Sequence, residues 1–180
     1  GFVIADNQQK TADPHISAIG DVTGGAMLAH KASHEAKIAI EVLVGEIIGS
    51  NTPVMPAVVF TDPEIAWAGL TEIEAKAQNK IVSIAKFPWG ASGRAQTLGR
   101  SEGLTKLIID PESEKIIGVG LTGSGAGELI AEGVLAIETG AKAKDLASSV
   151  HPHPTLSETL MEAAEVFYGT ATHVYKRKRE

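Results

Sequence analysis

The sequence contains no cysteine. A disulfide framework, a thiol nucleophile and a thiolate metal site are therefore all excluded within this chain. Aromatic residues are scarce, at 4%, so alanine, isoleucine, valine and leucine must fill the core. Positive charge is in deficit: 16 basic against 22 acidic residues leave a net charge of −6. Nucleic-acid binders normally carry a basic face or stripe, and this balance argues against one. No apolar run reaches the length of a membrane span. The N-terminus shows no basic-then-apolar leader. It opens without Met on Gly1-Phe2-Val3-Ile4, which reads as a strand already under way and suggests a piece of a longer protein.

What is present is an ordinary globular mixture, with 43% hydrophobic and 21% charged residues over 180 positions. Residues 2–5 and 16–19 read as short strands around polar turns. Residues 28–48 read as a helix, because Ala36, Ile40, Leu43 and Ile47 share one face and Gly49 stops it. The clearest boundary runs from Ser50 to Pro56, where two prolines within four residues halt helix propagation.

Beyond that boundary the texture turns to strands. Residues 57–60 and 65–69 flank a turn at Thr61-Asp62-Pro63-Glu64, and 81–87, 104–110 and 115–121 supply three more. Thr71 and Glu74 have capping-box spacing and open a helix to about residue 78. Helix returns after Gly125, with Ile130, Val134 and Ile137 on one face, then over 143–149, and finally from Thr155 with Leu156, Leu160, Ala163 and Phe167 aligned. Residues 86–94 read as a strand end and glycine-rich connection, and Lys176 to Arg179 as a solvated tail. The expectation is an α+β fold in two parts: 1–50, the end of one domain, and 51–180, a mostly antiparallel sheet flanked by helices.

The strongest chemistry lies in Val150-His151-Pro152-His153-Pro154-Thr155-Leu156-Ser157-Glu158. Alternating prolines stiffen the backbone up to the helix start. Thr155 can cap that helix and Glu158, three residues on, can bond back. A carboxylate there also sits near upstream imidazoles, and an imidazole so partnered is fixed in tautomer and stabilised when protonated. That is the setting of a general base. Glu158 read alone is equally a capping residue. His151 and His153 are also compatible with a surface turn, or with metal ligation at i, i+2, for which the neighbouring sequence supplies too few ligands.

The run His-x-His-Pro-Thr-Leu-Ser-Glu resembles the C-terminal signature of dihydrolipoamide dehydrogenases, among the pyridine-nucleotide disulfide oxidoreductases. The resemblance implies that His153 is the catalytic acid–base and Glu158 its orienting partner, reaching across a dimer interface to the other subunit's redox disulfide. Ala18-Ile19-Gly20-Asp21-Val22 resembles the superfamily's second flavin-binding motif, in which the aspartate bonds the ribityl chain. Met27-Leu28-Ala29-His30-Lys31-Ala32 resembles the helix N-terminus facing the flavin ring, and 60–66 the start of the interface domain. Leu156-Ser157 and Met27 to His30 favour the lipoamide branch over glutathione reductase-like chains.

By that resemblance 1–50 is the remainder of an FAD-binding domain and 51–180 an interface domain that forms a homodimer. The cofactors implied are FAD and NAD, the NAD site lying outside this chain. The partners implied are lipoyl domains of 2-oxo-acid dehydrogenase or glycine cleavage complexes, in the cytoplasm. No Cys-x4-Cys disulfide exists here and no Gly-x-Gly-x-x-Gly fingerprint is expected, so the chain alone should transfer no electrons. A dimerisation module without chemistry is the other class of reading.

Overall fold

A computed structural model describes residues 1–46 and 53–175. The chain divides into two compact units, Gly1–Pro53 and Val54–Glu180.

In the first unit neither expected strand forms. Residues 2–5 make one backbone bond, Val3 N–H to Val22 O at 2.8 Å, and 16–19 contribute a single bridge between Ser17 and Lys10. With no longer partner strand among the described residues, Phe2, Ile4 and Ile16 stay exposed. A 3-10 turn, Gly20–Thr23, follows, and then α1, Ala29–Leu43. Ile40 and Leu43, expected on a core-facing stripe, are exposed, and only Ala39 of α1 is buried. Ile47, Gly49 and 50–52 lie outside the described residues.

The second unit is a five-stranded sheet with every pair antiparallel, in the order β1-β2-β5-β4-β3. The strands are β1 Ala57–Val59, β2 Glu64–Gly69, β3 Ser83–Pro88, β4 Leu104–Ile109 and β5 Ile116–Gly123. Alternation sets the faces, since successive side chains point to opposite sides. Ala66 and Ala68, Ala85 and Phe87, Thr105 and Leu107, and Val119 and Leu121 are all buried. The register aligns them: Ala66 faces Leu121, Thr105 faces Leu121 and Phe87, and Leu107 faces Val119 and Ala85.

Helices cover that face. α4, Ala126–Glu138, packs on β2 and β5 through Ala126, Ile130, Gly133 and Ala136. α6, Glu158–Tyr168, packs on β3 and β4, and α5, Ala143–Ser148, packs on α6. α2, Glu72–Ala77, opens with the expected capping box, in which the Thr71 hydroxyl accepts from Glu74 N–H and Glu74 accepts from Thr71 N–H.

Two local expectations are corrected. Residues 86–94 are more ordered than a connection: a 3-10 turn, Trp89–Ala91, leads into α3, Gly93–Leu98, which Ser92 caps. Trp89 is fully buried and pins the turn. The spacing Gly-x-Gly-x-x-Gly, expected to be absent, occurs at Gly118 to Gly123. It runs inside β5 between antiparallel neighbours, so it is no phosphate-binding turn of a βαβ unit. Packing accounts for its last glycine: at φ +144°, a Cβ on Gly123 would stand 2.2 Å from the Trp89 ring.

Candidate active site

The segment between α5 and α6 is held from beneath by a directed chain of buried hydrogen bonds. Trp89 Nε1–H donates to Thr105 Oγ1 at 2.9 Å, Thr105 to Thr159 Oγ1 at 2.8 Å, and Thr159 to Leu156 O at 2.7 Å. Both threonines are fully buried. Each hydroxyl therefore gives and accepts one bond, and none of the chain is left unsatisfied. This fixes the first turn of α6 against β4.

On that base His153 and Glu158 meet. His153 Nδ1 lies 2.9 Å from Glu158 Oε1, and the peptide bond from His153 to Pro154 is cis. The His153 side chain is 70% exposed while that of Glu158 is 19% exposed, so the carboxylate is the rooted member and the imidazole the presented one. Glu158 Oε2 accepts the Thr155 N–H at 2.7 Å. The expected reciprocal cap is only half realised. The Thr155 hydroxyl donates to Pro152 O instead, and α6 begins at Glu158 with Ser157 as its N-cap.

Burial works against charge on Glu158. The Thr155 N–H, the His153 bond and the nearby His153 and His173 imidazoles outweigh it, holding the carboxyl below its ordinary range. With the carboxylate ionised, Nδ1 is the donor, and Nε2 is the acceptor nitrogen of a largely exposed side chain. Such a ring can accept a proton from outside.

His151 takes a different path. Its Nε2 lies 2.7 Å from Glu132 Oε1 on α4 and its Nδ1 lies 2.9 Å from Ser149 O, with the side chain only 8% exposed. His151 is an inward anchor, and the i, i+2 pair does not converge. Among the described residues no group of three His, Cys, Asp or Glu is placed to hold a metal. Sequence reasoning missed Glu132, Thr159, Glu162 and His173. Glu162 alone had a signal, falling one helical turn after Glu158.

Asp21, Met27, Leu28, Ala29 and His30 belong to the first unit. Asp21 stands exposed on the 3-10 turn, and Leu28 is the N-cap of α1 with no side-chain hydrogen bond closing that helix end. Ala29 and His30 form the first turn, and Met27 is exposed. A polar clamp ties turn to helix. Lys31 Nζ donates to Gly20 O and Thr23 Oγ1, both at 3.1 Å, and pairs with Glu35 at 2.9 Å, while Glu35 Oε2 accepts Gly20 N–H at 2.6 Å. An exposed carboxylate that can accept from a polyol hydroxyl, beside a helix N-terminus that favours negative charge, fits one wall of a flavin site.

The chain belongs to the pyridine nucleotide-disulphide oxidoreductase family: residues 55–164 match its dimerisation domain. More particular likenesses follow. The dihydrolipoyl dehydrogenase of Buchnera aphidicola from Acyrthosiphon pisum is 53% identical over 178 residues, 99% of this chain and 38% of that protein. That of Vibrio cholerae is 47% identical with the same shares. Among solved structures, LpdA of Mycobacterium tuberculosis superposes with a TM-score of 0.87 at 27% identity, over 92% of this chain and 36% of that one. RclA of Escherichia coli, a flavoprotein disulfide reductase, gives 0.82 at 26%, over 89% and 37%. The chain thus spans less than two-fifths of the length of these curated relatives. Among the described residues no helix is long and apolar enough to cross a membrane.

Proposed function

We propose that this chain is the C-terminal part of a dihydrolipoyl dehydrogenase, a flavoprotein oxidising protein-bound dihydrolipoamide with NAD+. His153 is its acid–base and Glu158 the orienting partner. The carrying observation is the 2.9 Å bond that roots Nδ1 of a largely exposed imidazole on a carboxylate and leaves Nε2 out of that bond. Family and relatives support the chemistry.

Thiolate, not thiol, attacks a disulfide. Nε2 takes the proton of a substrate thiol, and the freed thiolate attacks one sulfur of the receiving disulfide: the new S–S bond forms as the old one breaks, and the other sulfur leaves as a thiolate. Glu158 stabilises the resulting imidazolium, and Nε2 returns the proton later. The chain has no cysteine, so that disulfide belongs to the rest of the protein or to a partner. Residues 51–180 form the homodimer, and lipoyl domains bring the substrate. Residues 1–50 are the remainder of the FAD-binding domain. There Asp21 and the segment Met27 to His30 hold part of FAD, which when bound supplies the electron acceptor.

The test is His153→Gln in the complete flavoprotein. Dithiol turnover per flavin should fall by about 10²–10⁴-fold, with the dimer unchanged in sedimentation. Unchanged turnover per flavin, with or without loss of the dimer, would overturn the assignment.

A further inference from the structure

A third imidazole–carboxylate pair lies beside His153 and Glu158. Glu162, one helical turn after Glu158, bonds His173 Nδ1 through Oε1. Its side chain is 5% exposed, and its Oε2 is buried with no hydrogen-bond partner among the described residues. Glu162 and His173 line the same small cavity as His153 and Glu158. The sequence reading assigned neither residue, and the acid–base step does not use them.

Charge makes this arrangement consequential. Glu158, Glu162 and Glu165 are crowded onto two turns of α6. Like charges at i, i+4 repel, and a carboxylate rooted in a buried site is costly unless a cation answers it. At Glu165, burial and the neighbouring Glu162 charge push the carboxyl up, against the Thr172 N–H and His173, which pull it down. The groups facing the cavity are Glu158 and Glu162 from α6, His153 from the segment before it and His173 from the segment after. β3 and the α3 region contribute Phe87, Ser92 and Gly93, which carry no charge.

We propose that Glu162 and His173 are a positioning pair for the acid–base site: the His173 imidazole, bonded to the buried Glu162 carboxyl, offsets it, so that Glu158 remains a carboxylate able to hold His153. The inference rests on the role proposed for His153. It adds a residue beyond α6 to the site, so the segment after the helix becomes a determinant of how the site is charged.

The experiment is a carboxyl-carbon NMR titration of Glu158 in the whole protein that carries this chain. His173→Gln removes the imidazole and should raise the Glu158 midpoint by about half a pH unit or more. Glu162→Gln removes the competing anion and should lower it. His173→Lys keeps a positive charge and should stay near the parent value. Opposite displacements are the signature of electrostatic positioning, because a merely structural role would move both variants the same way or not at all. Either of those outcomes overturns the proposal. Should Glu162→Gln fail to fold, the contrast between His173→Gln and His173→Lys decides alone, and equal midpoints overturn it. Failure here leaves the His153→Gln result standing, whereas unchanged turnover in His153→Gln removes the function whatever Glu158 does.

Discussion

The two units of this chain are ordered by different forces. In Gly1–Pro53 the apolar residues buried among those described are Ala18 and Ala39, while Phe2, Ile4, Ile16, Ile40 and Leu43 face outward. Its order comes from polar clamps: Lys31 and Glu35 on the Gly20–Thr23 turn, and Asp6 accepting the N–H groups of Gln8 and Lys10. From Val54 onward the reverse holds. Phe87, Trp89, Leu107, Ile109, Ile116 and Leu160 are each at most 1% exposed, and one continuous apolar cluster joins sheet to helices. Hydrogen bonds and part-exposed ion pairs contribute little net free energy, since water competes for the same groups. Apolar burial is what offsets chain entropy. A shape fixed by clamps is therefore well suited to present groups to a ligand, and poorly suited to hold itself together.

The largest effect should come from separating the units. Residues 54–180 produced alone should unfold in one cooperative thermal transition followed by circular dichroism, and residues 1–53 alone should show none. A sigmoidal transition in the short piece would mean that its stability comes from something other than apolar burial. Single substitutions sharpen the same contrast. Phe87→Ala empties a fully buried site between the sheet and α6 and should cost about 3–5 kcal/mol in urea unfolding. Ile40→Ala, at a residue of α1 that is 60% exposed, should change stability by less than about 0.5 kcal/mol.

The same division explains what could be read from sequence. Strand alternation and helix periodicity were legible in the second unit because the partners that bury those faces lie within it: Ala66 and Leu121, or Ile130 and the sheet. In the first unit the pattern at Ile40 and Leu43 announced a face that no described residue covers, and the apolar runs at 2–5 and 16–19 found no strand to pair with. At the candidate site the pairing of His153 with Glu158 was legible because it is local, five residues apart. Glu132 and His173 lie 19 and 11 residues from the groups they meet, and only the packing of α4 and of the segment after α6 brings them in. The Gly-x-Gly-x-x-Gly spacing in β5 makes the complementary point, since there the glycine at its end serves the approach of Trp89 and not a phosphate.

A pH-dependent effect is the most specific to one unit, because both tyrosines lie beyond Val54. Tyr168 donates its hydroxyl to Glu114 Oε2 at 2.9 Å. Burial, that bond and the Glu114 charge push its phenol from an ordinary 10.0 up to about 12. The folded state therefore keeps a proton that the unfolded chain releases once pH passes 10. The corresponding stability is fully present below pH 10 and is lost as pH rises from 10 to about 12. Tyr168→Phe deletes the hydrogen bond and should cost about 1 kcal/mol at pH 8. It also deletes the ionisation, so the parent and variant stabilities, measured by urea unfolding at intervals from pH 8 to 11.5, should converge as the pH climbs. Parallel curves would mean that the phenol ionises alike in the folded and unfolded chain, so that the contact with Glu114 does not hold its proton.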